Sequence, residues 1–215
     1  LLSLEKKSLG YYLSGHPVDA IGGKIEKLRS RKIGDITNDI KKASLVCLIN
    51  SARQIKDRKG NPLTFINFDD GSGVMDGVVA SDTLETCHGI LKEGSILILK
   101  GTIELDDYKS KDLGDAMYRM RVREVHSLDT ELERKVREIM INIEKSDVSS
   151  LDALSEKLGE IKDDFWAHGS CQLNIKVKTG KSEVIISAGE KFKFPPTLIN
   201  LTYLEEIFGT NALEI

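Results

Sequence analysis

The chain has 215 residues, with 31 Lys and Arg against 34 Asp and Glu, so its formal net charge is −3. That balance excludes a polyanion-coating role for the whole chain, and 40% hydrophobic with 30% charged residues supplies enough apolar surface to exclude wholesale disorder. No run approaches the ~20 consecutive apolar residues that would span a bilayer, the richest, SILILKGTI, being broken by Lys100.

Cys47, Cys87 and Cys171 have no C-x-x-C spacing and no secretory h-region opens the chain, which leads us to expect a reducing, cytoplasmic compartment. The chain opens on Leu, in a stretch that reads as mid-helix, so we expect a piece of a longer protein. Leu1, Leu2, Leu4, Leu9, Tyr12 and Leu13 fall at helical spacing, and Gly15 with Pro17 stops that helix. A weaker helical stretch over 18–28 contains Gly22 and Gly23, and a basic segment then leads to a short apolar turn at Ile33 to Ile36.

From Ala43 the period changes to that of strands. ASLVCLINSARQI, LTFINFDD and VMDGVVA are separated by the turn clusters DRKGNP and DGSG. A short helix capped by Ser81 or Asp82 comes next, then SILILKGTIEL, the polar loop DDYKSKDLGD, and AMYRMRVREVHSL. Three strands, a helix and two strands is the order of the five-stranded OB barrel, which binds oligonucleotides on its second and third strands and on the loops joining strands one to two and four to five. Beyond Leu128 come a charged segment, the alternation IMINIE, an amphipathic helix SSLDALSEKLGEI, two strands joined at Thr179-Gly180, a turn at Pro195-Pro196, the helix TLINLTYLEEIF and a last strand NALEI. This β-α-β-β-α-β order predicts a ferredoxin-like split βαβ domain. The fold class is therefore β and α+β: a helical connector over 1–42, an OB domain over 43–129, and a small α+β domain over 130–215.

The residues argue against catalysis in this piece. Asp69-Asp70 and Asp106-Asp107 are neighbours whose side chains diverge in extended chain, and they read as solvated turn acids. His16, His88, His126 and His168 share no ligand spacing, so neither metal nor cofactor is expected, and no phosphate-binding or nucleophile motif occurs. Nucleic-acid binding has local support. Arg53, Lys56, Arg58 and Lys59 lie in the loop between the first two barrel strands, diluted only by Asp57, beside the groove of an OB barrel. Phe65 and Phe68 have odd separation, so one is core and the other is available to stack on a base. Tyr108, with Lys109 and Lys111, offers a second stacking position in the fourth-to-fifth strand loop. Arg119, Arg121 and Arg123 share the face opposite the core, in a ladder suited to phosphate or to pairing with Glu104 and its neighbours, with pairing favoured. The third strand has no aromatic, so weak, salt-sensitive binding to single-stranded DNA is expected.

Glu5 to Asp19, EKKSLGYYLSGHPVD, resembles the E-x-x-x-L-G-x-Y-L-[ST]-G-H-P segment that precedes an OB domain in the C-family replicative polymerases, the alpha subunits of bacterial DNA polymerase III. The run from Lys59 to Gly73, closing in D-D-x-[ST]-G, is similar to the same family. The resemblance implies a non-catalytic C-terminal portion of a DNA-directed DNA polymerase at the replication fork, its polymerisation aspartates lying elsewhere. It assigns single-stranded template contact to the OB domain and docking of the clamp loader's tau subunit to the terminal domain. Tyr203, Leu204, Ile207 and Phe208 on the last helix, with Leu213 and Ile215 in the tail, are the candidate partner-binding residues. Two departures stand out. Val79-Ala80-Ser81 replaces an aromatic and a proline after the third strand, and Thr210, Leu213 and Ile215 occupy the places of a Q-x-x-L-x-F clamp peptide without its anchoring glutamine, so sliding-clamp contact is not expected through this tail. A scaffold that never touches nucleic acid is the competing reading, and an RNA-binding, anticodon-type barrel would need more aromatics along the groove.

Overall fold

The computed structural model describes residues 15–26, 28–57, 60–87, 89–113, 116–144, 169–179, 182–187, 193–209 and 211–215, with the single residues 156, 159 and 189. The helix expected at the start of the chain lies outside the described residues, as does the Glu5 to Ser14 part of the family-like segment. The chain divides into two units, Leu1–Ser127 and Leu128–Ile215.

In the first unit β1 (Lys42–Lys56), β2 (Pro62–Asp69), β3 (Val74–Ala80), β4 (Ile96–Leu105) and β5 (Tyr118–Ser127) close into a barrel of order β1-β2-β3-β5-β4. Closure gives every strand a partner on both sides. Pairing is antiparallel throughout except between β3 and β5, and the short helix α1 (Ser81–Thr86) bridges β3 and β4, as an OB barrel requires. The period of two fills the interior: Ala43, Leu45, Cys47 and Ile49 from β1, Ile66 and Phe68 from β2, Met75 and Val79 from β3, Leu97, Leu99 and Ile103 from β4, and Met120, Val122 and Val125 from β5.

Two irregularities interrupt that period. Asn50 is an extra residue where the β1–β2 register shifts between Ile49 and Ser51, and Arg123 is extra where Lys100 faces Glu124 but Gly101 faces Val122. The segment between β4 and β5, read as a polar loop from the sequence, contains the helix α2 (Asp107–Leu113). Asp106 nucleates it, its side chain accepting the Lys109 amide at 3.1 Å and its carbonyl the Ser110 amide at 2.8 Å.

Ahead of the barrel, the expected helix over 18–28 is a 3₁₀ turn, Asp19–Ile25, broken where Gly22 takes φ +68°. It buries Val18, Ile21 and Ile25, and the chain beyond is tied to β1 where Ser44 Oγ donates to the Leu28 carbonyl at 3.0 Å. A second 3₁₀ turn, Ile33–Asp35, stands where the apolar turn was predicted.

The second unit contains α3 (Leu128–Lys135), β6 (Glu138–Glu144), β7 (Cys171–Thr179), β8 (Ser182–Ser187), β9 (Lys193–Phe194), α4 (Leu198–Phe208) and β10 (Leu213–Glu214). The amphipathic helix expected over 149–161 lies outside the described residues apart from the helical positions Glu156 and Gly159. The sheet order is β10-β6-β7-β8, with β9 also on β7. β6 therefore pairs directly with its parallel successor β7, and the βαβ unit is not split. The ferredoxin-like arrangement is thus corrected: a split unit needs another strand between those two, β8 instead turns back as a hairpin on β7's far side, and the short strand β9 is an addition to the expected order. Thr197 caps α4, its side chain accepting the Asn200 amide.

Candidate nucleic-acid interface

The outward face of the barrel is organised by register. Arg53 of β1 is the direct partner of Phe65 on β2, Phe65 of Val78 on β3, and Val78 of Arg121 on β5. Directly paired residues project to the same face, so one rung carries a phenyl ring and a valine flanked by two guanidinium groups, with strands ~4.8 Å apart. Phe65 is 44% exposed while Phe68 is wholly buried, which decides the odd-separation question in favour of Phe65 as the surface ring. A depression of about 220 Å³ opens beside Leu63, Phe65, Val78 and Arg121, with the Glu104–Arg119 pair on its wall.

The adjacent rung compensates its own charge. It runs Ser51, Asn67, Asp76, Arg119, Glu104. Asn67 donates to Asp76 at 2.7 Å, Lys109 from α2 reaches the other oxygen of Asp76 at 2.5 Å, and Arg119 pairs with Glu104 at 3.5 Å. Burial pushes the Asp76 carboxyl up, but the bonds from Lys109 and Asn67 and the lysine charge outweigh it and hold the group below its ordinary value. The bond to Asp76 raises Lys109 in turn. Two cations thus meet two anions on this rung, whereas Arg53 and Arg121 face no acid on theirs. The arginine ladder divides accordingly: Arg119 pairs as the sequence reading favoured, while Arg121 and Arg123 form no ion pair with any described residue.

The loops carry the remaining candidates. Lys56 is exposed at the end of β1; Arg58 and Lys59 lie outside the described residues. Asp57 builds the turn as well as diluting the charge, its carboxylate accepting the Asn61 amide at 2.8 Å and its carbonyl the Gly60 amide at 3.0 Å. Tyr108 is 84% exposed on α2, and Lys111 is exposed one turn on.

The Asp69-Asp70-Gly71-Ser72-Gly73 turn is more than the plain solvated turn the sequence suggested. Asp70 is buried and accepts the amides of Ile33 at 2.8 Å and Ser72 at 3.0 Å and the Ser72 hydroxyl at 2.6 Å. Ser72 Oγ accepts the Gly34 amide at 3.0 Å, and His16 pairs with Asp69. The described end of the family-like segment therefore seats on the family-like turn. Nothing in the local sequence signals a contact between positions 53 residues apart.

On α4, Leu201 and Leu204 are wholly buried in the second unit, so Leu204 offers no surface; Tyr203, Ile207 and Phe208 are half-buried, as are Leu213 and Ile215. Sequence spacing could not separate them because the helix is apolar on most of its circumference. Among the described residues no helix is long and apolar enough to cross a membrane.

Residues 45–128 match the family model tRNA_anti-codon, described as OB-fold nucleic acid binding domain. DNA polymerase III subunit alpha of Pseudomonas fluorescens is 23% identical over 206 residues, covering 95% of this chain and 17% of that protein. The same subunit of Neisseria meningitidis serogroup A is 28% identical over 219 residues, covering all of this chain and 18% of that protein. Among solved structures, the SSB domain of a Synechococcus protein superposes with a TM-score of 0.34 at 9% identity, over 42% of this chain and 99% of that one. Over nearly its whole length the chain is similar to a segment of DNA polymerase III subunit alpha, and it contains an OB-fold domain; it spans less than a fifth of the length of those relatives.

Proposed function

We propose that this chain is a non-catalytic, template-handling part of a bacterial replicative DNA polymerase, its barrel binding single-stranded DNA. The observation that carries the reading is the Arg53–Phe65–Val78–Arg121 rung, where a base stacks on Phe65 while its flanking phosphates meet the two guanidinium groups. Lys56 extends the positive edge at the end of β1, Arg58 and Lys59 follow it in the sequence, and Tyr108 with Lys111 supplies a second stacking position from α2. Lys109 serves this site by holding α2 onto Asp76. The second unit docks the clamp loader's tau subunit through the half-buried Tyr203, Ile207 and Phe208 and the tail at Leu213 and Ile215, a role supported by the family relationship. The parent enzyme works in the cytoplasm, and its polymerising chemistry belongs to other segments.

The test is fluorescence anisotropy with a labelled single-stranded oligonucleotide at low and near-physiological salt. Charge reversal at Arg53 and Arg121 weakens binding and makes log K against log salt shallower by about 0.7 for each phosphate that is no longer neutralised. Binding and slope unchanged by the reversal would overturn the assignment of this face. Capture of purified tau by this chain, abolished in a Tyr203→Ala/Ile207→Ala variant, tests the second unit; tau that fails to bind the unaltered chain would overturn that role.

A further inference from the structure

We propose that the nucleic-acid path continues past the Phe65 face, around the barrel, to a second phosphate-binding groove formed by β1, β4 and β5. The inference rests on the single-strand reading above and adds a contact surface to it. The rung that carries Phe65 does not stop at Arg121: Arg121 pairs with Thr102 on β4, and Thr102 with Lys42 at the start of β1. Four strand steps, about 19 Å of arc, therefore join Phe65 to Lys42 on one continuous outward row.

There the surface opens into a groove of about 440 Å³, whose lining includes Lys42, Ser44, Lys100, Thr102, Arg123 and Glu124. Three cations face one carboxylate, and that carboxylate is engaged by Lys100 at 3.6 Å and His126 at 2.9 Å. Lys42 and Arg123 are exposed and form no ion pair with any described residue. The β4–β5 bulge makes the site: as the extra residue, Arg123 joins Glu124 on the outer surface while Val122 and Val125 both stay in the core. A bulge that re-aims a charged side chain is a feature commonly built beside functional sites. None of the described residues lining the groove is aromatic, so its chemistry is that of backbone phosphates and hydroxyl donors, without base stacking. The occupant is the same single strand that crosses Phe65, held there independently of sequence.

Two oligonucleotides separate this from the parent reading, one of about 5 nucleotides and one of about 15, spanning the usual site sizes of an OB fold. Each is titrated at several salt concentrations against the unaltered chain, Phe65→Ala, and the double variant Lys42→Glu/Arg123→Glu. We expect the 15-mer to bind the unaltered chain more tightly and with a steeper salt slope than the 5-mer. The double variant keeps 5-mer affinity, loses about tenfold or more for the 15-mer at low salt, and has a 15-mer slope shallower by about 1.4, two phosphates at 0.7 each. Lys42→Gln/Arg123→Gln, which adds no negative charge, gives the same slope change with a smaller loss, and a urea midpoint within error of the unaltered chain shows that the fold is intact. If the 15-mer binds the double variant with unchanged affinity and slope, the second groove is wrong while the Phe65 face stands. If neither oligonucleotide binds the unaltered chain at low salt, the single-strand reading itself fails and this inference with it.

Discussion

His16 and Asp69 meet at the C-terminal end of β2, the Nδ1 of His16 accepting the Val18 amide at 3.2 Å while its Nε2 lies against an Asp69 carboxylate oxygen. Nδ1 is thus occupied as an acceptor, while Nε2 stands within ion-pairing range of the aspartate. The imidazole is thereby fixed at both ends and lies over Gly71, whose φ of +83° already favours glycine.

Replacing that glycine tests the seating. A Cβ at Gly71 would stand 2.9 Å from His16 Cβ and 3.0 Å from its Cγ, so Gly71→Ala must displace the ring as well as strain the backbone. Gly60 has nearly the same φ, +86°, and nothing within 4 Å of its built Cβ. Gly60→Ala therefore costs about 1–2 kcal/mol from backbone conformation alone, and Gly71→Ala about 1–3 kcal/mol more from crowding. Urea unfolding of the two variants reads the difference; equal losses would show that the seating of His16 contributes nothing.

The Asp76–Lys109 pair gives the barrel an acid-side dependence with a definite sign. The Asp76 carboxyl is held below its ordinary value in the folded chain, so it contributes stability above its unfolded pKa and loses that contribution as pH falls through the depressed folded value. Urea midpoints measured from pH 6 down to pH 3 should fall more steeply for the unaltered chain than for Asp76→Asn, which cannot ionise. The two curves converge at the acid end because protonated aspartate and asparagine are then alike in charge. Parallel curves would show that the bond to Lys109 is not made in solution.

Features set by a local period were legible in the sequence. Alternation in LTFINFDD sent one phenylalanine inward and left the other on the surface, and the position of α1 between β3 and β4 identified the barrel. Features set by register were not legible. The pairing of Arg53 with Phe65 is established across the Asn50 irregularity, and a shift of one residue there would move Phe65's neighbour to the other face. The second unit has the same limit at the level of topology: β-α-β-β-α-β fixes the order of elements but not that β6 lies against β7. The contact of His16 with Asp69 and the burial of Asp70 were equally hidden, because solvated and buried turn acids share one composition, DDGSG.

Phe65 carries the binding reading without carrying the fold. Its ring is 44% exposed, so Phe65→Ala leaves the core intact and changes stability by less than about 1 kcal/mol. Loss of a stacked base costs about 1–3 kcal/mol of oligonucleotide affinity, roughly 5- to 150-fold in Kd. The salt slope stays nearly constant, because every phosphate contact is kept. Anisotropy titration at two salt concentrations separates this behaviour from that of Arg53→Glu, which alters the slope as well. A Phe65→Ala variant that binds as well as the unaltered chain would move base stacking to Tyr108.

Gly101 controls the bulge that presents Arg123. A Cβ there would fall 2.2 Å from the Arg121 carbonyl oxygen and 3.0 Å from its carbon, a backbone collision that no rotamer change relieves. Gly101→Ala must therefore push β5 away from β4, at a cost of about 3 kcal/mol. Gly23, where a built Cβ meets nothing within 4 Å, is the control and should tolerate Ala with a change below about 0.5 kcal/mol. Because the displaced strand carries Arg121 and Arg123 together, the surviving folded Gly101→Ala chain should also bind a long oligonucleotide more weakly than its stability loss alone predicts. Binding measured well below the unfolding midpoint, where the folded fraction is near unity, isolates that effect. A variant as stable as the unaltered chain would mean that β4 and β5 are not in the register that places Arg121 opposite Thr102.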